Sequence, residues 1–210
     1  MNDYNYKLDN YLFNQISHID KPNILELGVQ NGISTVKFLD LCNNNNGKLY
    51  SVDIKDCSNV SKDPNWKFFK NRDDNFNFIK SNIPNKIDVI FIDSLHEANH
   101  VEKIILGYYD ILNINGYIFV DDISHLPYLK KNIRNNFYCE INNKETFNKI
   151  LEIYNNNTEC FDLSFNFFSS GLAIIKKKSD TNLKENNKIK TRTFSFKNII
   201  RLLWKKIIKN

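Results

Sequence analysis

The chain of 210 residues has little cysteine, and none of it is patterned. Cys42, Cys57, Cys139 and Cys160 are scattered, with no C-x-x-C pair. That argues against a disulfide framework or a thiolate zinc site, and it fits a reducing cytoplasm. No N-terminal stretch has the apolar run of a signal peptide, and no uninterrupted apolar segment is long enough to span a bilayer. The N-x-S/T matches at Asn59 and Asn156 therefore carry no weight. Internal repeats are absent. So are acids beyond Glu185, and this lack divides the charge: residues 176–210 hold twelve Lys and Arg against Asp180 and Glu185, a net +10, and residues 1–175 carry −5. A mildly acidic body disfavours nucleic acid as its partner.

Asparagine is abundant instead, with runs at 43–46 and 155–157 that read as loops. Residues 4–19 have the spacing of an amphipathic helix, with Tyr4, Leu8, Tyr11, Leu12, Ile16 and Ile19 on one side. Strands are expected at 23–27, 48–54, 66–70, 87–93 and 116–123, the last preceded by an Asn-Gly turn at 115–116. Helices are expected after 33, around 76–79, and over 97–112, 126–136 and 144–154. The final stretch, 160–178, reads as two strands joined by a turn at Ser169–Gly171. Strands alternating with helices imply an α/β fold of Rossmann-like, doubly wound type. It would have a mostly parallel seven-stranded sheet, a terminal antiparallel hairpin and helices on both faces.

The stretch "NILELGVQNGIST" (23–35) runs from a buried strand through Glu26, Gly28 and Gly32 into a helix beginning near Ser34. Glycines permit tight geometry and close ligand approach, and a new helix offers free N–H groups. In an open parallel sheet, ligands bind at the carboxyl ends of the strands. Four strands here deliver acids to that end: Glu26, Asp53, Asp93 and the pair Asp121–Asp122. An acid closing the second strand, Asp53, suits the two hydroxyls of a ribose. A pyrophosphate loop would read G-x-G-x-x-G, whereas this one is G-V-Q-N-G with Glu26 just before it. A carboxylate there repels pyrophosphate and suits the cationic end of an amino acid, which points to S-adenosylmethionine.

Together "ILELGVQNGIST", "LYSVDI" and "IDVIFIDSLHEANHVEKIILGYYDILNINGYIFVDDI", with the final hairpin, resemble class I S-adenosylmethionine-dependent methyltransferases over roughly residues 20–176. F-I-D-x-x-H followed by G-Y-I-F-V-D-D is similar to small-molecule O-methyltransferases of the macrocin and catechol types. The resemblance implies a divalent metal, magnesium above all, held by Asp93, Asp121 and Asp122. It also implies cofactor contacts at Glu26, Gly28, Gly32, Ser34, Asp53 and Asp93, with Asp73 and Asp74 near the adenine. The catechol type carries a lysine base three residues after its first ligand; here His96 stands in that place.

The chemistry agrees with this reading. A hydroxyl is a poor nucleophile until its proton is removed or its oxygen is bound to a metal. Hard oxygen ligands on neighbouring strand ends suit magnesium, and His96 and Asp93 form the candidate catalytic pair, with His125 in reserve. Blander readings stand beside these. Asp93 could cap a helix or meet the cofactor's amino group, Asp121 or Asp122 could cap a helix, Asp73 and Asp74 likewise, and His100 could simply be solvated.

Residues 177–193 read as a flexible linker after a methyltransferase domain at 1–176. In 194–210, Phe196, Ile199, Ile200, Leu203 and Ile207 share one side of a helix, with Lys197, Arg201, Lys205 and Lys209 on another. A basic amphipathic helix with Trp204 suits an anionic membrane surface; otherwise it packs on the body or on a second copy in a homodimer. The expected activity is O-methylation of a small molecule or glycan, a sugar hydroxyl favoured. The rivals are a nicotinamide-dependent oxidoreductase, weakened by the lack of a suitably placed Tyr-x-x-x-Lys, and a non-catalytic membrane-peripheral module.

Overall fold

Alternating apolar residues make Ile24, Leu25 and Leu27 of β1 (Asn23–Leu27) fully buried on both faces of a sheet. This computed structural model describes residues 3–125, 137–184 and 195–208. After β1 come α3 (Ile33–Asn45), β2 (Lys48–Asp53), β3 (Trp66–Lys70), α4 (Phe76–Asn82), β4 (Ile87–Ile92), α5 (Ala98–Tyr108) and β5 (Leu112–Asp121). Then follow α6 (Phe137–Asn156), β6 (Phe161–Asn166) and β7 (Leu172–Lys177). The sheet runs β3-β2-β1-β4-β5-β7-β6; β1 to β5 are parallel, and β7 enters antiparallel beside β5. The expected seven-stranded Rossmann-like sheet with its terminal hairpin is therefore present.

The N-terminal helix precedes β1 and has a phase change inside it. It begins as α1 (Asp3–Lys7), widens into a π-helical stretch (Leu8–Phe13) and ends as α2 (Asn14–Ile16). Leu8, Leu12 and Ile16 pack with Phe38 of α3 and Phe91 and Phe119 on one face of the sheet. On the other face, α4, α5 and α6 bury Ile79, Val101, Ile104, Ile105, Ile150 and Ile153.

Three boundaries differ from expectation. The turn at Asn115–Gly116 does not precede β5 but lies within it: the strand starts at Leu112, and Asn115 at φ 65° absorbs a shift of register against β4. The expected helix at 126–136 lies outside the described residues, whereas 144–154 is the interior of α6. The linker does not begin at 177. Lys177 is buried, with its ammonium donating to the carbonyls of Tyr109 and Leu112, and Asp180 pairs with it at 3.0 Å. Leu183 packs on the core and the Lys184 N–H donates to Asn157, so the body extends through Lys184.

Last comes α7 (Phe196–Ile208), on which Phe196, Ile199, Ile200 and Trp204 are exposed. The side chains of Leu203, Lys205, Lys206, Ile207 and Lys209 lie outside the described residues. Among those described, no helix is long and apolar enough to cross a membrane.

Candidate active site

The chain runs outward from β1 to β3 and then returns to β4 on the other side of β1. A crevice therefore opens above the carboxyl ends of β1 and β4. It is a cleft of about 650 Å³ whose lining includes Gly28, Asp53, Asp73, Asp93, His96 and Asp122. The sequence-expected acids thus do converge, with two exceptions.

The first is Glu26. It is fully buried and does not line the cleft. Its Oε1 accepts from Ser34 at 2.6 Å, and its Oε2 accepts from Thr35 at 2.8 Å and Ser51 at 2.7 Å. Burial pushes the carboxyl up to about 7, against the three hydroxyl bonds. Both oxygens are committed to stitching β1, α3 and β2 together, so Glu26 braces the turn from behind instead of reaching the amino-acid end of a ligand. Ser34 itself lines the cleft while donating to Glu26. The second exception is Asp74, whose carboxylate is held by Arg72 at 2.8 Å and Lys103 at 2.8 Å, which keep it well below the usual range.

The turn itself explains its glycines. Gly28 has φ 99°, and a Cβ there would lie 2.1 Å from the carbonyl oxygen of Asp93; close approach of strand ends requires glycine. Gly32, at φ 75°, precedes α3, and a Cβ would strike Val60. Asp53 reaches under the turn: its Oδ2 accepts from the N–H of Val29 at 2.9 Å and of Gln30 at 3.1 Å, and its Oδ1 from Lys55 at 2.8 Å. Burial opposes its charge, yet these three bonds hold its carboxyl below the usual value. Two amides that would cradle a phosphate are thereby occupied by a carboxylate. A pyrophosphate would meet negative charge where it needs donors; a cationic ligand would not.

Asp73 stays in the cleft wall, accepting from Ser94 and lying 2.8 Å from His100 Nε2. His100 is therefore not a solvated residue: its side chain is 9% exposed and tied to Asp73.

On the β4 and β5 side, His96 Nε2 lies 3.5 Å from Asp93 Oδ1 and 3.5 Å from Asp122 Oδ2. Asp122 reaches this position through a left-handed backbone, φ 59°, tolerated by Asp at a strand end. Burial and the Asp121 charge push the Asp93 carboxyl well above its ordinary range, although Tyr4 donates to its Oδ2 at 2.7 Å. Asp121 is buried and ion-paired with Lys7, which is fully buried too; Lys7 also donates to Ser170 Oγ at 2.6 Å. The reserve base His125 is not in the cleft wall. It packs on Phe147, ring centroids 4.8 Å apart, and its buried Nδ1 has no partner among the described residues. Tyr4, Lys7 and Ser170 escaped the sequence reading. Their one signal was the i, i+3 spacing of Tyr4 and Lys7 on the amphipathic helix.

Residues 25–123 match the family described as a methyltransferase domain. Over this segment the chain is similar to methyltransferase domains. The segment spans the glycine turn, Asp53, Asp93, His96 and the Asp121–Asp122 pair. A protein from Clostridium thermocellum assigned as an rRNA methylase superposes with a TM-score of 0.61 at 16% identity, covering 85% of this chain and 97% of that one. A Staphylococcus aureus protein assigned as a caffeoyl-CoA O-methyltransferase gives 0.59 at 16% identity, covering 83% of each. The MycE methyltransferase of the mycinamycin biosynthetic pathway, in complex with Mg and SAH, gives 0.58 at 15% identity. That match covers 82% of this chain and 50% of the other, so the chain spans half the length of MycE. These likenesses concern the fold. No curated protein sequence matches the chain.

The resemblance implied a divalent cation on Asp93, Asp121 and Asp122. The donor set does not fit. Asp121 Oδ1 already receives the Lys7 ammonium, the Asp122 N–H at 2.7 Å and the Ser170 hydroxyl at 3.2 Å. Asp93 Oδ2 is taken by Tyr4, and His96 stands between Asp93 and Asp122. Among the described residues, no group of three or more His, Cys, Asp or Glu side chains is arranged for a metal ion.

Proposed function

We propose that the protein is an S-adenosylmethionine-dependent O-methyltransferase acting on a hydroxyl of a neutral small molecule or glycan. The observation that carries this reading is His96 poised 3.5 Å from both Asp93 and Asp122, in the same cleft as the Asp53-braced glycine turn. The cofactor is a net cation, and the cleft offers it Asp53, Asp73 and Asp93 in its wall. Bound there, it supplies an electrophilic methyl group that an acceptor oxygen displaces from sulfur in line.

The residues of this chain do the rest. Asp53 orders the turn and keeps one acceptor site, on Oδ1, for a ribose hydroxyl. His96 Nε2 accepts the acceptor's proton as the general base. Asp93 and Asp122 offer acceptors to further hydroxyls of a sugar. An acidic wall disfavours phosphate-bearing acceptors, which speaks against RNA in spite of the Clostridium likeness. Support for transfer to oxygen comes from a structural neighbour assigned as an O-methyltransferase.

The same reading gives α7 a role at an anionic membrane surface. Support comes from the exposed Phe196, Ile199, Ile200 and Trp204 beside exposed Lys197 and Arg201. The decisive experiment is transfer of a labelled methyl group from S-adenosylmethionine to a panel of neutral saccharides and phenols, by wild type and His96→Ala. Transfer to an oxygen that depends on His96 supports the reading. Transfer confined to amines or to RNA overturns it.

A further inference from the structure

Three carboxyl groups, Asp93, Asp121 and Asp122, converge on neighbouring strand ends, and such a cluster needs a counter-charge to persist. The chain supplies one. Lys7 is fully buried although it lies on a helix bounded by solvent, and its ammonium reaches Asp121 across 114 residues of sequence. Burying an ammonium costs several kcal/mol unless the partner geometry is good, so this placement is specific. Its second bond, to Ser170 Oγ at 2.6 Å, comes from the β6–β7 turn, and Ser170 in turn lies 3.2 Å from Asp121 Oδ1. The ammonium also sits 5.0 Å from the centre of the Tyr4 ring. One helical turn before it, Tyr4 lines the cleft and donates to Asp93. A single helix face thus neutralises or occupies two of the three expected ligands.

We propose that the Lys7 ammonium holds the cation position of this carboxylate cluster, making the site independent of a divalent metal. On this view, which rests on the methyltransferase reading for its function, Lys7 is a positioning residue. It does not line the cleft; it acts through Asp121, whose oxygen is filled by three donors, and so fixes Asp122 and the histidine between them. Asp93 Oδ1 and Asp122 Oδ2 both face His96, each 3.5 Å from its Nε2. A hard cation, which seeks six or more oxygens, would compete with Lys7 for Asp121 and with His96 for Asp93 and Asp122.

The test uses full-length protein and manganese(II) as the probe, read by electron paramagnetic resonance with excess magnesium as competitor. Wild type should leave manganese free. Lys7→Met keeps the length and apolar stem but removes the charge, so the uncompensated acids should now bind manganese more than about tenfold tighter than wild type. Lys7→Met,Asp121→Asn should lose that gain. Micromolar, magnesium-competed manganese binding by wild type overturns the proposal, as does a folded Lys7→Met that gains none. The wild-type titration stands even if the variant fails to fold. Calorimetry with S-adenosylhomocysteine in chelator runs alongside. Failure of that binding counts against the functional reading, whereas the manganese signal alone judges the role of Lys7.

Discussion

Replacing Glu26 by glutamine should make the fold less sensitive to rising pH. The carboxyl is fully buried, and burial lifts it from the ordinary 4.5 to about 7. Between those values the folded chain keeps a proton that the unfolded chain has released. Stability from protonated Glu26 is therefore complete below the unfolded value and is lost as pH climbs through the folded one. The difference corresponds to about 3 kcal/mol in all, of which roughly 2.5 kcal/mol falls between about pH 5 and pH 8. Glutamine has the same shape and cannot ionise, and the hydroxyls of Ser34, Thr35 and Ser51 can rotate to suit it. Urea unfolding of both proteins across that pH range measures the effect. Wild type should lose about 2 kcal/mol more stability than Glu26→Gln as pH rises, with the denaturant slope unchanged. Parallel pH profiles would refute the reasoning, because they would mean that Glu26 stays ionised in the fold and that its three hydroxyl partners outweigh burial.

Asp53→Ala frees the Val29 and Gln30 amides and removes the ribose acceptor. Calorimetry with S-adenosylhomocysteine should show at least about a tenfold loss of affinity, and unchanged binding would dislodge the cofactor from that turn. His96→Ala should lower turnover by about a hundredfold or more with cofactor affinity preserved, while His125→Ala stays active; the opposite pattern would move the base to His125. A chain ending after Lys184 should remain folded and lose co-sedimentation with anionic vesicles. Each basic residue of α7 should contribute on the order of 1 kcal/mol, weakening with salt. Equal pelleting of both chains would assign α7 to protein packing instead.

What the sequence made legible was local. Alternation in β1 and the apolar run of β4 place strands, and acids directly after them must fall at one edge of a parallel sheet. That is why Asp53, Asp93, Asp121 and Asp122 could be located without coordinates. The fate of Glu26 was not legible, because its three hydroxyl partners come from positions 34, 35 and 51 and meet only after β1, α3 and β2 have packed. Lys7 was hidden for the same reason. A lysine beside an apolar stripe reads as a solvated neighbour, and nothing local announces an acid 114 residues away. The π-helical widening after Lys7, which no propensity signals, shifts the phase of the helix just where Leu8 and Leu12 take over the packing. His100 and His125 exchanged expectations through tertiary neighbours alone: Asp73 claimed one, and Phe147 the other.

The junction of Lys7, Asp121 and Ser170 joins the two ends of the domain, and that sets an order of events during synthesis. Lys7 leaves the ribosome long before its partners, and its bond to Ser170 closes a loop of 163 residues. Loop-closure entropy grows only slowly with length, so the late bond is thermodynamically affordable. It is nevertheless unavailable to any nascent chain shorter than the hairpin. Until the β6–β7 turn emerges, the sheet has no β7 beside β5, and the acids at its edge have no complete set of donors. The parallel core can form early, but the pocket is finished last, so an interrupted translation product would carry a sheet without a working site.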